Sequence, residues 1–175
     1  MSKVFAVWLT GIPSSGKSTL ARGLCDRLRE RGLKVAIIES DALRRLLTPN
    51  PSYTEEERDF FYRAMAVIGK YLVDHGVCVI FDATAHRRKY RDYARSIIKN
   101  FVEVHVYAPL DVCIDRDVKG LYSKALSGEI KTLPGLQVEY EEPISPEVKV
   151  DTSRLSVDES LDMIIDFLLE RGYLE

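Results

Sequence analysis

A glycine-rich segment of eight residues constrains the fold of this chain more than any other feature of its sequence. Residues 11–18 read Gly-Ile-Pro-Ser-Ser-Gly-Lys-Ser and match the pattern G-x-x-x-x-G-K-[ST] in full. A short apolar run at residues 4–9 precedes the segment, and leucines at helical spacing (Leu20, Leu24 and Leu28) follow it. A strand, a glycine-rich turn and a helix in this order predict a phosphate-binding loop.

Each residue type in this loop has a physical task. Gly11 and Gly16 let the backbone curl so that successive N–H groups point at phosphate oxygens, and the helix that follows adds its positive N-terminal dipole. Lys17 supplies a point charge for the β- and γ-phosphate oxygens, and the Ser18 hydroxyl can bind Mg²⁺. We therefore predict that the chain binds a nucleoside triphosphate (ATP) with Mg²⁺, and that Ser18 is the metal ligand. The predicted cofactor-binding residues of the loop are Gly11, Ser14, Ser15, Gly16, Lys17, Ser18 and Thr19.

Strand and helix patterns alternate along the rest of the chain. Apolar runs predict strands at residues 4–9, 34–39, 77–81, 101–107 and 148–150. Two of the intervening helices are predicted to open on capping boxes, formed by Thr54 with Glu57 and by Ser156 with Glu159. This alternation predicts right-handed βαβ units, an α/β fold and a mainly parallel sheet. The residues predicted to share the packed side of the helix after Thr54 are Phe60, Phe61, Ala64, Val67, Ile68, Tyr71 and Leu72.

Residues 117–147 break this pattern. They contain Gly120, Gly128, Gly135 and three prolines, together with mixed charge and weak periodicity. A structureless span of that length inside a compact domain is usually functional. We therefore predict that the chain of 175 residues is a single domain, residues 1–175, in which residues of about 117–147 form a mobile lid over a site.

Charge and hydropathy exclude several classes of protein. Lys and Arg number 25 against 27 Asp and Glu, for a net charge of −2, and this balance argues against a nucleic-acid polymer as partner. No apolar run approaches the roughly 20 residues of a membrane span, and the first residues lack the apolar core of a signal peptide. The three cysteines form no C-x-x-C pair. We expect a cytoplasmic protein that binds neither a membrane nor nucleic acid.

Two of the predicted strands end in carboxylates, at the edge where parallel sheets bind their ligands. The second strand ends in Glu39-Ser40-Asp41 and the third in Phe81-Asp82. A carboxylate beside a γ-phosphate can accept a proton from an attacking hydroxyl or hold the water shell of the metal. Asp41 has an alternative role as the N-cap of the helix that follows it. The predicted catalytic residues are Lys17, Asp41 and Asp82, and the sequence leaves open which carboxylate is the main one.

Arginines follow both carboxylates in the sequence. Guanidinium groups suit phosphate or sulfate, although most arginines on amphipathic helices face solvent. Arg58 is the best candidate because it lies one turn into a helix that starts near the predicted acceptor site, and His86 is a further candidate contact to an anionic acceptor. The cluster comprises Arg44, Arg45, Arg58, Arg63, Arg87, Arg88 and Arg91.

With these motifs the sequence resembles the adenylylsulfate (APS) kinases over nearly its whole length. The matching stretches are Trp8-Leu9-Thr10-Gly11 through Ser18-Thr19-Leu20-Ala21, Asp111-Val112-Cys113, Arg116-Asp117, Lys119-Gly120-Leu121-Tyr122, Gly128-Glu129-Ile130-Lys131, Tyr140-Glu141 and Asp151-Thr152. The lid stretches are far more specific than the loop. The resemblance implies a three-layer P-loop NTPase fold with a lid, usually a homodimer, and a small anionic nucleotide-like substrate. It also implies ATP-dependent phosphoryl transfer to the 3′-hydroxyl of APS, giving 3′-phosphoadenylylsulfate and ADP.

The resemblance also implies roles for individual residues. Asp41 matches an aspartate that activates the acceptor hydroxyl or organises Mg²⁺. Arg44 and Arg58 match arginines that hold the charged groups of the acceptor. Tyr53 matches an aromatic residue that stacks on the base of the acceptor. Arg116 matches an arginine on the donor side and joins the cofactor-binding set. The implied substrate-binding residues are Asp41, Arg44, Tyr53, Arg58, Lys119, Gly120, Leu121 and Leu133.

The departures from the family pattern fall on the acceptor side. The family's Asp-Gly-Asp-Asn is Glu39-Ser40-Asp41-Ala42 here, and its Asn one turn beyond Arg58 is Phe61. The family's Ser-Phe-Ile-Ser-Pro aligns with residues 82–86, so that Ala85 closes any route through a phosphoserine. An aromatic residue of the lid is replaced near Leu133. Two alternatives therefore stay open, a related kinase that acts on another nucleotide derivative or a sugar-type hydroxyl, and a nucleotide-dependent switch without transfer activity.

Overall fold

A five-stranded sheet forms the centre of the molecule, whose computed structural model describes residues 2–175. The strands are β1 (Ala6–Thr10), β2 (Val35–Glu39), β3 (Cys78–Asp82), β4 (Phe101–Tyr107) and β5 (Val148–Asp151). The helices are α1 (Lys17–Glu30), α2 (Ser40–Leu47), α3 (Glu55–Asp74), α4 (Arg88–Ile97), α5 (Leu110–Arg116), α6 (Leu121–Leu126) and α7 (Val157–Glu170). The strand order is β2-β3-β1-β4-β5 and every pairing is parallel, which confirms the predicted α/β class and parallel sheet.

Two apolar cores cover the two faces of the sheet, because successive side chains of a strand point to opposite faces. In β1, Val7 and Leu9 pack against α1 and α7, whereas Ala6 and Trp8 pack against α3 and α4. The helices therefore form one layer on each side of the strands, and the architecture has the three layers that the resemblance implies. None of the helices within residues 2–175 has the length and hydrophobicity needed to cross a membrane.

Helix α3 packs through a different side from the one predicted. Phe61, Met65 and Gly69 are buried against the sheet, whereas Phe60 is 60% exposed and Tyr71 is 65% exposed. The physical reason is Gly69, because a Cβ atom built there would lie only 2.1 Å from Cζ of Phe81. The missing side chain lets the aromatic ring approach the helix backbone, so the prediction was wrong for the outward-facing aromatic residues.

The two predicted capping boxes differ in their geometry. Ser156 and Glu159 form the complete box at the start of α7. At the start of α3 the Thr54 hydroxyl accepts from the Glu57 N–H, but the Glu57 carboxylate reaches back to the N–H groups of Ser52 and Tyr53. The second half of that predicted box is therefore displaced by one and two residues.

The segment of residues 117–147 is more ordered than its composition predicts. It contains α6, and it shares a small apolar core, here called the lid core, with α5 and the residue Ala108 before it. The buried members of that core are Ala108, Cys113, Tyr122, Ala125 and Leu133. The segment is thus a packed unit attached beside the carboxyl edge of the sheet.

Candidate active site

The glycine-rich loop lies between β1 and α1 with the curled backbone that its sequence predicts. Gly16 has φ of +107° and Ser14 has φ of +64°, both in the left-handed region, which costs little for glycine. A Cβ atom at Gly11 would lie 2.2 Å from the backbone oxygen of Val106, so only glycine fits there. The loop closes around the N-terminus of α1, whose first turn reads Lys-Ser-Thr-Leu and carries no acidic residue. This arrangement suits phosphate.

Lys17 bridges the mouth of the loop. Its Nζ donates to the carbonyl oxygens of Gly11 at 2.9 Å and Ile12 at 3.1 Å. Burial lowers the pKa of Lys17 to about 8, and the neighbouring carboxylate of Asp82 opposes this effect. A polyphosphate at the loop would add negative charge beside the ammonium group and favour its protonated form.

Ser18 and Asp82 form a pair at the carboxyl ends of β1 and β3. The Ser18 hydroxyl donates to Oδ2 of Asp82 at 2.6 Å, and Asp82 is 5% exposed. A hydroxyl and a carboxylate oxygen are the hard ligands that Mg²⁺ prefers. No group of three or more His, Cys, Asp or Glu residues gathers within residues 2–175 as a metal site. The pair therefore fits a magnesium ion that is held mainly by phosphates, with few protein ligands.

Asp41 lies in the first turn of α2, which follows β2, the strand paired with β3. The N-cap of α2 is Glu39, so the alternative in which Asp41 caps the helix is wrong, because the helix begins two residues earlier than a cap at Asp41 requires. The Asp41 side chain is 52% exposed, and Lys119 donates its Nζ hydrogen to Oδ2 of Asp41. The same Nζ lies 4.0 Å from Oε1 of Glu39. A lysine of the predicted lid thus reaches the predicted catalytic carboxylate.

One cavity of about 700 Å³ joins these groups. Its walls come from the phosphate-binding loop, from the ends of β2 and β3, and from the start of the predicted lid. The predicted site residues that line it are Ser14, Gly16, Lys17, Ser18, Thr19, Asp41, Asp82, Arg116, Lys119 and Leu121. This volume lies within the range of small-molecule sites.

Arg44 and Arg58, here called the arginine pair, form a second group with Tyr53, and none of the three lines the cavity. The guanidinium carbon of Arg44 lies 5.2 Å from the centroid of the Tyr53 ring and that of Arg58 lies 5.6 Å from it. Tyr53 is 42% exposed and has φ of +56°. The structure therefore brings together the three predicted acceptor residues that are far from the loop in sequence.

Leu133 is the predicted site residue that the structure places elsewhere. Its side chain is 5% exposed and packs inside the lid core, so the prediction that it contacts the substrate is corrected. The sequence assignment relied on an aromatic position of the family pattern, whereas the neighbouring backbone turns the leucine inward. Gly120 has φ of +68° and starts α6, and Ser15 is fully buried, so these two residues can offer backbone groups.

Thr152 is a site residue that the sequence analysis did not select. Its hydroxyl donates to the carbonyl of Ser15 at 2.6 Å, and Arg116 donates to Oγ1 and to the carbonyl of Thr152 at 3.1 and 2.9 Å. Arg116 also donates to the carbonyl of Ser14 at 3.2 Å. The sequence feature that could have identified Thr152 is its position immediately after β5, at the edge of the sheet where parallel sheets bind ligands.

Comparison with known proteins agrees with this geometry. The model of the family "Adenylylsulphate kinase" matches residues 3–151. A probable adenylyl-sulfate kinase of Pyrococcus abyssi is 46% identical over 170 residues, which cover 97% of this chain and 98% of the relative. The structure is similar to that of the Mycobacterium tuberculosis APS kinase CysC in complex with AMPPNP and APS, with a TM-score of 0.90, 31% identity and coverage of 97% and 99% of the two chains. A hexameric APS kinase from Thiobacillus denitrificans has a TM-score of 0.74 and 28% identity, and the match covers 99% of this chain and 30% of that one.

Proposed function

Because the chain belongs to the adenylylsulfate kinase family, it is an ATP-dependent kinase, and we propose that its acceptor is the 3′-hydroxyl of APS. The products are 3′-phosphoadenylylsulfate and ADP. The observation that carries the proposal is the single cavity that joins the phosphate-binding loop to Asp41 and to Lys119 of the lid. The M. tuberculosis relative, solved with AMPPNP and APS, supports the pairing of these two ligands.

On the donor side, the loop amides and Lys17 hold the phosphates of ATP, and Arg116 and Thr152 border the adenosine end. The residues assigned to ATP are Gly11, Ser14, Ser15, Gly16, Lys17, Ser18, Thr19 and Arg116. Ser18 and Asp82 would hold Mg²⁺, which neutralises charge on the β- and γ-phosphate oxygens when it is bound. Asp82 is nearly buried and accepts from Ser18, so its role is on the metal side.

On the acceptor side, Asp41 accepts the proton of the attacking hydroxyl. Its half-exposed carboxylate, in contrast to the nearly buried carboxylate of Asp82, supports this division of roles. When the anionic acceptor binds, Lys119 leaves Asp41 and contacts the acceptor instead. The arginine pair and Tyr53 hold the remainder of the acceptor. Catalysis consists mainly of positioning and charge stabilisation, because phosphoryl transfer requires little else from a protein.

An ADP-release assay over a panel of acceptors tests the proposal. The panel contains APS, other nucleotide derivatives with a free 3′-hydroxyl, and sugar-type hydroxyls. We expect ADP release to depend on APS and to be slow without any acceptor. Stimulation by another compound but not by APS would replace the acceptor and keep the kinase, whereas slow hydrolysis with every acceptor would favour a nucleotide switch.

We also propose how the molecule is organised. Residues 1–175 act as one domain, and residues 117–147 act as a lid whose closure excludes water from the reaction. Arg88 and Arg91 of α4 donate to the carbonyls of Glu142 and Glu141, which ties the end of the lid to the body. The earlier part is held by the contacts of Lys119 with Asp41 and of Arg58 with Thr132, and these contacts must break when that part moves. A cytoplasmic location is part of the proposal and is supported by the three free cysteines, since disulfides are rare in the cytosol. A homodimer completes the proposal.

A further inference from the structure

Arg44 is supported by an aromatic ring that has no assigned role. Its guanidinium carbon lies 3.9 Å from the centroid of the Phe61 ring, which is close for a cation–π contact. Phe61 is fully buried in α3, so its ring is a fixed surface. Nη1 of Arg44 is buried and has no hydrogen-bond partner among the described residues. The guanidinium is therefore held against the ring, and one of its buried donors has no hydrogen-bond partner among the described residues.

Arg58 is supported by an imidazole ring. Arg58 is 9% exposed; its Nη2 donates to the carbonyl of Thr132 at 3.2 Å, and its Nη1 lies 3.4 Å from Nε2 of His86. Because an arginine can only donate, Nε2 must be the unprotonated nitrogen of His86, and the ring hydrogen must lie on Nδ1.

His86 is buried in a way that keeps it neutral. His86 is 4% exposed, and burial is the main reason why its pKa is lowered to about 4. The positive charges of Arg58, Arg87 and Arg91 lower this pKa further, whereas the carboxylate of Glu141 opposes the shift. The backbone also fixes it, since Ala85 has φ of +44° and the carbonyl of His86 accepts from the N–H of Glu141 at 2.8 Å.

The two supports, Phe61 and His86, come from different parts of the chain. The two residues lie beneath the arginine pair from different elements, one from α3 and one from the loop after β3. Two buried rings from different elements that contact one pair of side chains point to a shared task.

We propose that Phe61 and His86 are positioning residues of the acceptor site. Phe61 orients Arg44 by stacking, and His86 orients Arg58 by accepting its hydrogen bond, so that the arginine pair is set to receive the anionic group of the acceptor before it binds. The inference rests on the proposed function, because it takes the arginine pair as part of the acceptor site. Neither residue lines the cavity of the phosphate-binding loop, so the effect is confined to the acceptor.

The test measures KM for APS, KM for ATP and kcat in four variants of the full chain. Phe61→Leu and His86→Leu remove the two supports and keep apolar volume, and we expect KM for APS to rise about tenfold in each, with KM for ATP and kcat within about twofold. Phe101→Leu is the matched control for the ring, since Phe101 is 6% exposed and lies under Arg95 at 5.0 Å. His105→Leu is the control for the imidazole, since His105 is a buried histidine with a pKa lowered to about 4.

A fifth variant separates positioning from folding. His86→Gln restores an acceptor to the position of Nε2, and we expect KM for APS to return to within about threefold of the wild type. If the controls raise KM for APS as much as the test variants do, or if KM for ATP and kcat change in step with it, the positioning role is wrong. It is also wrong if the test variants bind APS normally.

Calorimetric binding of APS without ATP distinguishes this inference from the proposed function. A wild-type chain that binds APS but does not turn it over refutes the proposed reaction, while the dissociation constants of the variants still decide the positioning role. A wild-type chain that does not bind APS refutes both. Melting temperatures within a few degrees of the wild type establish that each variant is folded.

Discussion

At the scale of single residues, Asp41 and Asp82 differ in burial and in partner, and these differences support the separate roles that we propose for them. Asp82 is 5% exposed and accepts from Ser18, which suits a metal-side carboxylate. The Asp41 side chain is half exposed and its partner is a lysine of the lid, which suits a group that meets an incoming hydroxyl.

We expect Asp41→Ala to lower kcat about 10²- to 10⁴-fold with nearly unchanged ATP affinity, because only the proton acceptor is lost. Steady-state kinetics and calorimetric ATP binding measure the two quantities. Asp74→Ala is the control, since Asp74 is an exposed carboxylate paired with Lys70 in α3. Near-normal turnover of Asp41→Ala would refute its assigned role.

Two buried histidines make stability depend on pH. Burial lowers the pKa values of His86 and His105 to about 4, below the value of about 6.5 in an unfolded chain. Between these values the unfolded chain binds more protons, so stability rises with pH and is lost as pH falls from about 6.5 toward 4.

We expect the melting temperature to fall between pH 7 and pH 5, and His105→Gln to reduce that fall because one of the two buried groups no longer titrates. His75→Gln is the control, since His75 is exposed at the end of α3. Thermal unfolding at pH 5, 6 and 7 gives the comparison. Equal pH dependence in the wild type and in His105→Gln would contradict the explanation.

At the scale of elements, close packing between α3 and β3 depends on one glycine. The Phe81 ring, which a Cβ atom at Gly69 would meet at 2.1 Å, is itself stacked on Trp8 with ring centroids 4.5 Å apart. The ring therefore has no space into which it can retreat.

We expect Gly69→Ala to destabilise the protein by about 1–2 kcal/mol, because overpacking outweighs the gain of about 1 kcal/mol in helix propensity. Gly23→Ala in α1 is the matched control. Its Cβ atom would meet only Cδ1 of Leu161 at 2.7 Å, the end of a flexible side chain, so we expect it to be neutral or stabilising. Chemical denaturation measures both, and a stabilised Gly69→Ala would refute the packing argument.

Local signals predicted the elements and the donor side well. β4 was predicted at residues 101–107 and is observed at Phe101–Tyr107, because an apolar run between polar turns needs no distant information. The contacts of the acceptor side could not be predicted in this way. Lys119 meets Asp41 from 78 residues away, and the buried position of Phe61 follows from the packing of α3 and not from its spacing. Leu133 was misassigned for the same reason, since its direction is set by the lid core.

At the scale of the whole molecule, the outer side of α3 has the pattern of a self-complementary interface. Phe60 and Tyr71 are exposed there, and Ala64 and Val67 lie between them. These positions are symmetric about the middle of the helix. Two antiparallel copies of α3 would place Phe60 of each copy against Tyr71 of the other and Ala64 against Val67, which is the arrangement of a twofold dimer. The same twofold axis would place Glu56, in the first turn of α3 in one copy, opposite His75 at the end of α3 in the other copy.

We expect the wild type to sediment at about twice the mass of 19.9 kDa of one chain, and Tyr71→Glu to shift it to the monomer, because the interface would bury unpaired carboxylates next to the Phe60 rings. Sedimentation equilibrium over about 1–100 μM covers the affinity expected of a contact built on one helix about 30 Å long. Met163→Glu is the control, since Met163 is 42% exposed on α7, away from α3, and it should leave the dimer intact. A wild-type monomer, or a dimer that Tyr71→Glu leaves unchanged, would show that α3 is not the interface. A hexamer that Tyr71→Glu reduces to smaller species would retain α3 as one of several contacts.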